Sequence, residues 1–406
     1  MEVLYERCCG IDVHKRIIVA CFKFGRKQEI RKYGATSSEL RKLANWLQEN
    51  NCQVIGMEST GSYWKPLYNV FELSGLDAMV INAGDIKNVP GRKTDVGDAE
   101  WIADLVRHGL VRASYIPTRE QRELREVSRY RISLVQERAR ELNRLQKILE
   151  GGNVKLGNVV SNINGVSARN ILKAMLDSSD KMMEEEIKNM VYGPLRTKIP
   201  EIVEATDGFF SLMQKALLRS ILRHIDNLDL QIAEINALIA KHMGPYEKEL
   251  ERLAEMPGIA RQSAETILAE IGVEMSRFPT DKHISKWAGL CPGNNESAGI
   301  RKRSKTQRGN KTLKSTLVQC AVVAVKQNCY FKAQYQRISI RRGKKRALVA
   351  VAHSMLIAIY HMLKDDVTFK DLGSDYYLKV NKQSRVNYHL KQLTKLGWTP
   401  GAEEVA

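Results

Sequence analysis

The stretch "RCCGIDVHKRIIVACFKFGRKQEIRKYG", residues 7–34, decides the fold. Its Ile, Val, Cys and Phe residues fall in three short runs separated by "HK" and "GRK", a pattern that reads as three strands in hairpin order. Immediately downstream, "TSSELRKLANWLQENN" opens on Thr and Ser and places Leu40, Leu43, Ala44 and Leu47 on one face, which predicts a capped amphipathic helix. "CQVIGMEST" then reads as a strand, "SYWKPLYNVFELSG" as a helix and "LDAMVINAG" as a strand. "KTDVGDAEWIADLVRHGL" closes the region as a helix with Ala99, Ile102, Ala103 and Val106 on its buried face. Three strands in hairpin order followed by alternating helices and strands predict an α/β sheet with an antiparallel half, in which the first and fourth strands are neighbours.

That order brings acidic residues from three elements towards one place. Asp12 ends the first strand, Glu58 ends the fourth, and Asp95 and Asp98 stand three residues apart on one face of the last helix. Asp95 and Asp98 also read as a capping pair, and Asp98, Glu100 and Asp104 suit the positive end of the helix dipole. Capping alone does not account for Asp12, because an acid beside an apolar strand is costly unless something pairs with it. Carboxylates gathered from three elements repel one another unless divalent cations sit between them, and hard oxygen ligands suit magnesium or manganese. Two such ions about 4 Å apart would clamp the attacking and leaving oxygens of a phosphodiester.

The 406 residues are 43% hydrophobic and 27% charged, which predicts two or three globular domains rather than disorder. Three regions are expected, 1–118, 119–250 and 251–406. The formal net charge is +18, and the last region carries +14 of it, with 27 Lys and Arg against 13 Asp and Glu. Between Arg277 and Arg346 there are 18 basic and 2 acidic residues, an electrostatic footprint for a polyanion. These basic residues do not lie along an apolar amphipathic helix with aromatic anchors, so nucleic acid is favoured over a membrane surface. The seven cysteines form no CxxC, which excludes the common cysteine-based zinc layouts and points to a reducing cytoplasm. No apolar run long enough to cross a bilayer and no signal peptide are read, so a cytoplasmic protein without a membrane partner is expected. His353 and His361 lie in an apolar helical run and read as core residues.

The middle region is predicted helical. Leu124, Val127, Leu134, Leu142, Leu145 and Leu149 form one stripe, and Ile221, Ile225, Leu228, Ile232, Ile235 and Ile239 alternate by four and three as a heptad seam. Such helices pair either within one chain or across a dimer, or form a plain bundle. The last region, mainly helical, opens with two helical patterns flanking "PGI", similar to a helix-hairpin-helix loop whose backbone N–H groups hold phosphate, with Ala260 in place of the usual second glycine. "WAGLCPGNNESAGIRKRSKTQRGNKTL" then places Ser297 in a loop flanked by small residues, with Arg301, Lys302 and Arg303 following as phosphate ligands. Lys305, Arg308, Lys311 and Lys314 extend the basic run up to a helix that begins near Asn310. Spacing alone does not single out Ser297: no His–Asp arrangement accompanies it, and "ESAG" is not a G-x-S-x-G elbow. The closing "SDYYLKVNKQSRVNYHLKQLTKLGW" reads equally as a packing helix and as a nucleic-acid contact.

"GIDVHK", "MESTGSYW", "KTDVGDAEWIADL", "MPGI…AEIG", "WAGLCPGNNESAG" and "RGNKTL" occur in an order that resembles the transposases of insertion sequence family 110, DEDD-type recombinases related to certain bacterial DNA invertases. The resemblance runs from about residue 8 to 335 and is weak in the middle. It implies a ribonuclease-H/resolvase-like first domain in which Asp12, Glu58, Asp95 and Asp98 bind magnesium. It implies a C-terminal transposase domain whose Ser297 attacks DNA and forms a phosphoserine link, while the heptad seam itself is what points to a helical coiled-coil middle. It further implies donor and target DNA as substrates, a structured noncoding bridge RNA as guide, and a homodimer that assembles into a tetrameric synapse, one subunit's serine meeting another's acidic site. A hydrolytic Holliday-junction-type endonuclease using the same carboxylates is the alternative expectation, and a non-catalytic nucleic-acid scaffold is a third.

Overall fold

The computed structural model describes residues 2–59, 61–88, 97–178, 182–292, 296–297, 300–301, 306–380 and 382–398. Asp95, Lys302, Arg303 and Lys305 lie outside these residues, and only the backbone is described for Ser297 and Arg301. The chain divides into two compact units, residues 1–120 and 121–406.

The first unit is built on β1 (Arg7–Val13), β2 (Ile17–Phe24), β3 (Lys27–Gly34), β4 (Val54–Glu58) and β5 (Ala78–Ile81). Their order across the sheet is β3-β2-β1-β4-β5. β1, β2 and β3 pair antiparallel, whereas β4 and β5 join β1 in parallel, as the hairpin order followed by helix crossovers predicts. The helices are α1 (Ser37–Glu49), α2 (Trp64–Leu73), α3 (Ala83–Asn88) and α4 (Gly97–Arg107); α3 was not expected from the sequence. α1 and α2 cover one face, burying Leu40, Leu43, Leu47, Leu67 and Phe71 against Ile11, Phe22, Ile55 and Met57. α4 covers the other, with Ile102 and Val106 on Cys8, Val54 and Ile81, and Ala99 and Ala103 on Cys21. Because both faces are covered, β1 and β4 read as continuous apolar runs and not as alternating ones.

Among the described residues, the second unit is helical apart from one small hairpin. α5 (Arg119–Gly151) and α10 (Leu212–Met243) are its two long helices. Arg131 contacts Asn236, Arg138 pairs with Asp229 and Glu137 contacts His224, so the two helices run antiparallel within one chain. Between them lie α6 (Leu156–Val159), α7 (Val166–Asp177), α8 (Glu184–Met190) and α9 (Ile199–Ala205). These pack on Leu145, Leu149, Leu218, Ile221 and Ile225 in one core. Ile232 and Ile235 of the expected seam are only half-buried, since that core ends before them.

α11 (Glu247–Ala254), α12 (Arg261–Ile271) and α13 (Asp281–Trp287) lead to β6 (Glu296–Ser297) and β7 (Ile300–Arg301). α14 (Lys311–Ala324), α15 (Tyr330–Arg342), α16 (Lys344–Lys364), α17 (Tyr376–Val380) and α18 (Lys382–Lys395) complete the described helices. α16 corrects one sequence expectation, because its 21 residues are long and apolar enough to cross a bilayer. Here Ala347, Val351, Ala352, Met355, Leu356, Ile359 and Tyr360 are buried against neighbouring helices, among them α14 and α15. A helix packed on several sides is apolar most of the way round for that reason alone. His361 is also corrected: it is exposed and bonds Asp365 at 3.1 Å, while His353 is half-buried. In the closing segment Tyr377 stacks on Tyr330 and lies under Arg337, so this part of it packs on α15.

Candidate active site

β1 and β4 run parallel with Ile11 opposite Met57, so Asp12 and Glu58, the next residue of each strand, leave the sheet side by side. Side chains alternate along a strand, so both point to the face that carries Gly10 and Gly56. α4 lies directly on that face. A Cβ on Gly10 would sit 2.1 Å from the backbone nitrogen of Ala103, and one on Gly56 would sit 2.4 Å from Val106 Cγ2. The last carbonyl of α4, at Arg107, accepts from Leu4 N at 2.9 Å and Tyr5 N at 3.2 Å, just before β1 begins. α4 therefore runs against β1, and its first turn, with Asp98, lies towards the strand end that carries Asp12. This is also the carboxyl end of the parallel strands, where open α/β sheets place their ligands.

Asp12 is 7% exposed, and His14 Nε2 donates to its Oδ2 at 2.8 Å. Among the described residues, Glu58 and Asp98 are half-buried and make no ion pair. Three of the four predicted acids thus come from three elements to one end of the sheet. They do not close into a ligand cluster: among the described residues no three Asp, Glu, His or Cys are placed to hold a metal ion. Their donors are carboxylate oxygens, the chemistry that fits magnesium or manganese. Glu100 and Asp104 have a separate role. The buried ammonium of Lys23 lies 2.6 Å from Asp104 Oδ1 and 3.8 Å from Glu100 Oε1, so the two acids neutralise a lysine under α4. Burial pushes the Cys8 and Cys21 thiols up to about 11 and Cys52 up to about 12, so these sulfurs stay protonated and offer no thiolate.

The predicted serine lies on a hairpin, with Ser297 of β6 opposite Ile300 of β7. Its base is clamped: Pro292 bridges Thr306, Gln307 N donates to Cys291 O at 3.2 Å, and Asn310 N donates to Trp287 O at 3.0 Å. The two limbs touch backbone to backbone, since a Cβ on Gly309 would lie 2.3 Å from Gly289 N. Lys314 Nζ donates to Gly289 O at 3.0 Å and Thr306 Oγ1 at 2.6 Å, so this predicted phosphate ligand is engaged in the clamp. Arg308 and Lys311 are exposed.

Beneath the clamp lies an ionic hub that the sequence did not reveal. Glu270 is fully buried and accepts two hydrogen bonds from Arg129, at 2.7 and 2.8 Å. Asn310 Nδ2 donates to Glu270 Oε2 at 2.5 Å, while its Oδ1 accepts from Leu313 N at 3.0 Å and caps α14. Arg131 pairs with Glu265 at 2.5 Å one turn away. Glu270 and Asn310 stand inside "AEIG" and "RGNKTL", but Arg129 is 141 residues from Glu270, so no local pattern joins them. The glycine of "PGI" is explained by packing: at Gly258, φ is +87° and a Cβ would lie 2.3 Å from Cys320 O of α14.

The first unit thus carries three predicted acids at one end of its sheet, and the second unit carries the predicted serine on a clamped hairpin. Residues 9–153 match the IS110-type DEDD transposase family, and residues 250–336 match the family described as "Transposase IS116/IS110/IS902 family". Together the two matches span more than half of the chain. The chain is 22% identical over 377 residues to the transposase for insertion sequence element IS1111A of Coxiella burnetii, covering 89% of this chain and 87% of that one. It is 21% identical over 368 residues to a protein of Pseudomonas aeruginosa named "Probable family 20 transposase", covering 89% and 94%. The chain belongs to the IS110 family of transposases. It is an enzyme that cleaves DNA and transfers its strands, and DNA is its partner.

Proposed function

We propose that this transposase cuts and rejoins donor and target DNA through a phosphoserine intermediate, with magnesium or manganese held by Asp12, Glu58, Asp95 and Asp98, under the guidance of a structured noncoding bridge RNA. The observation that carries the reading is the convergence of Asp12, Glu58 and Asp98 on one sheet end, with α4 laid antiparallel on β1. The strand order β3-β2-β1-β4-β5 supports a ribonuclease-H/resolvase-like domain over 1–118, followed by a coiled-coil region over 119–250 and a transposase domain over 251–406. When bound, the divalent ions stabilise negative charge on the attacking and leaving oxygens. Ser297 Oγ forms the new bond to phosphorus, one P–O bond of the DNA breaks, and the serine proton ends on the released hydroxyl. The phosphodiester is conserved in the enzyme–DNA ester, so a second DNA hydroxyl can reverse the step and complete strand exchange.

Arg301, Lys302, Arg303, Lys305, Arg308 and Lys311 would hold phosphates around the hairpin, and base pairing with RNA would supply sequence choice. A homodimer, and a tetramer in the synapse, would bring one subunit's serine to another's carboxylates. Apolar side chains left open on the long helices support pairing between subunits: Tyr130 and Val135 on α5, Leu230 and Leu238 on α10. A cytoplasmic setting accords with seven free cysteines.

The test is a covalent trap. Protein co-expressed with the RNA flanking its gene is mixed with nicked donor DNA and magnesium, denatured and mapped by mass spectrometry. A DNA adduct on Ser297 that vanishes in Asp98→Ala is the expected result. Cleaved DNA without an adduct would replace the serine mechanism by hydrolysis.

A further inference from the structure

Beside the acidic end of the sheet is an open groove of about 600 Å³, lined among others by Lys15, Arg16, Ile17, Val19, Lys32 and Tyr63. Its position follows from strand register. Val19 stands opposite Asp12, and Lys32 opposite Val19, so the three form one row across β1, β2 and β3 on a single face. Neighbouring strands lie about 4.8 Å apart, which puts Lys32 about 10 Å from Asp12 along that row. Lys15 and Arg16 occupy the β1–β2 turn, and Tyr63 precedes α2 just after the end of β4.

The lining combines two chemistries. Lys15, Arg16 and Lys32 are exposed and make no ion pair with a described residue. Ile17 and Tyr63 keep 51% and 43% of their surface open beside them. Three cations without an ion pair to any described residue call for more than one anionic group, and an apolar floor with an open phenol ring calls for a flat apolar body. A nucleotide joined to its neighbours supplies both. A closed duplex does not, because its bases stay stacked on one another and only phosphates reach a protein groove.

We propose that this groove holds an unpaired nucleotide of the DNA strand next to the scissile phosphate. Tyr63 stacks on the base, and Lys15, Arg16 and Lys32 hold the flanking phosphates. The inference rests on the reading that the strand is cut at Asp12, and it adds that the DNA is locally unpaired there.

The test uses the full-length protein and a DNA duplex with a short single-stranded gap that carries 5-iodouracil. Irradiation should cross-link the gap to the peptide containing Tyr63. Tyr63→Ala should weaken binding of gapped DNA about tenfold, the size expected for one lost base stack, and Lys15→Ala combined with Lys32→Ala should weaken it by removing two phosphate contacts. Fully paired duplex should bind as before, and Tyr63→Phe should bind gapped DNA like the parent protein. Unchanged melting temperatures show that the variants are folded. Unchanged gapped-DNA affinity, an equal loss on gapped and paired DNA, or cross-linking of an iodouracil RNA but not of the DNA would each overturn the proposal. Binding needs no cleavage, so the two readings fail separately. A Ser297 adduct without a Tyr63 cross-link removes the groove alone, and the converse removes the serine mechanism alone.

Discussion

The acidic sheet end and the base of the serine hairpin solve opposite problems. At the sheet end, Glu58 and Asp98 are left without ion-pair partners among the described residues, and their position comes from backbone contact, with α4 resting on Gly10 and Gly56. At the hairpin base, Glu270 is fully buried and saturated by Arg129 and Asn310. Under the function proposed above, the carboxylates that take a cation have to stay uncommitted, so neutral packing holds them. Under the same proposal, the hairpin that presents the serine can be anchored by charge, because its anchor lies away from the reacting group. The lesson is that an acid in this chain is best judged by whether its partner is already present.

The comparison can be broken most sharply by chemistry. Asp12→Asn should lower strand cleavage by on the order of 10⁴, measured on nicked donor DNA, with little change in the melting temperature. A comparable loss of stability instead would make Asp12 a structural acid tied to His14. Next in size, Glu270→Ala removes a fully buried acceptor shared by Arg129, itself half exposed, and Asn310, and should cost about 1–3 kcal/mol. Denaturant unfolding read through Trp287, whose ring lies 5.4 Å from the Arg125 guanidinium, would detect it. Glu270→Gln keeps the side-chain volume and one acceptor oxygen, although its amide NH2 then faces a donor, and should cost less than Glu270→Ala in the same measurement.

Gly10→Ala tests the neutral half of the contrast. The added Cβ meets backbone 2.1 Å away, which cannot swing aside as a side chain would. Displacement of α4 should cost about 1–3 kcal/mol and should also reduce cleavage, since Asp98 rides on the same helix. Preserved activity in a destabilised protein would mean that α4 does not set the site. The smallest effect concerns pH. Burial raises Cys8 and Cys21 from the ordinary 9.0 to about 11, so the fold favours their protonated forms. Their contribution is complete below pH 9 and is lost as pH rises towards about 11, because the unfolded chain releases these protons first. The unfolding midpoint of the first unit should fall across that window, and iodoacetamide should label both thiols slowly at pH 8.

Much of the first unit was legible because its signals are local. Three β-rich runs with turn residues between them yield hairpins, and the later crossovers force a parallel neighbour onto β1. Asp12, Glu58 and Asp98 could be picked out because each stands at the end of an element whose direction the order dictates. The serine hairpin depended on resemblance, since a serine among small residues carries no periodic signal. The apolar length of α16 was missed in the sequence, and composition could not have assigned it, because a helix buried on several sides and a helix made for lipid look alike.

What the sequence determined by itself was the order of elements, the acids at their ends and the concentration of positive charge after residue 250. These depend on residue type and spacing over a few turns or strands. Only the tertiary structure decided which charges are already spent. It paired Glu270 with Arg129 across 141 residues, placed Lys314 in the clamp and Asp104 on Lys23, and left Lys15, Arg16 and Lys32 open beside Tyr63. Ion pairing in a fold depends on distances between remote elements, and a linear pattern does not contain those distances.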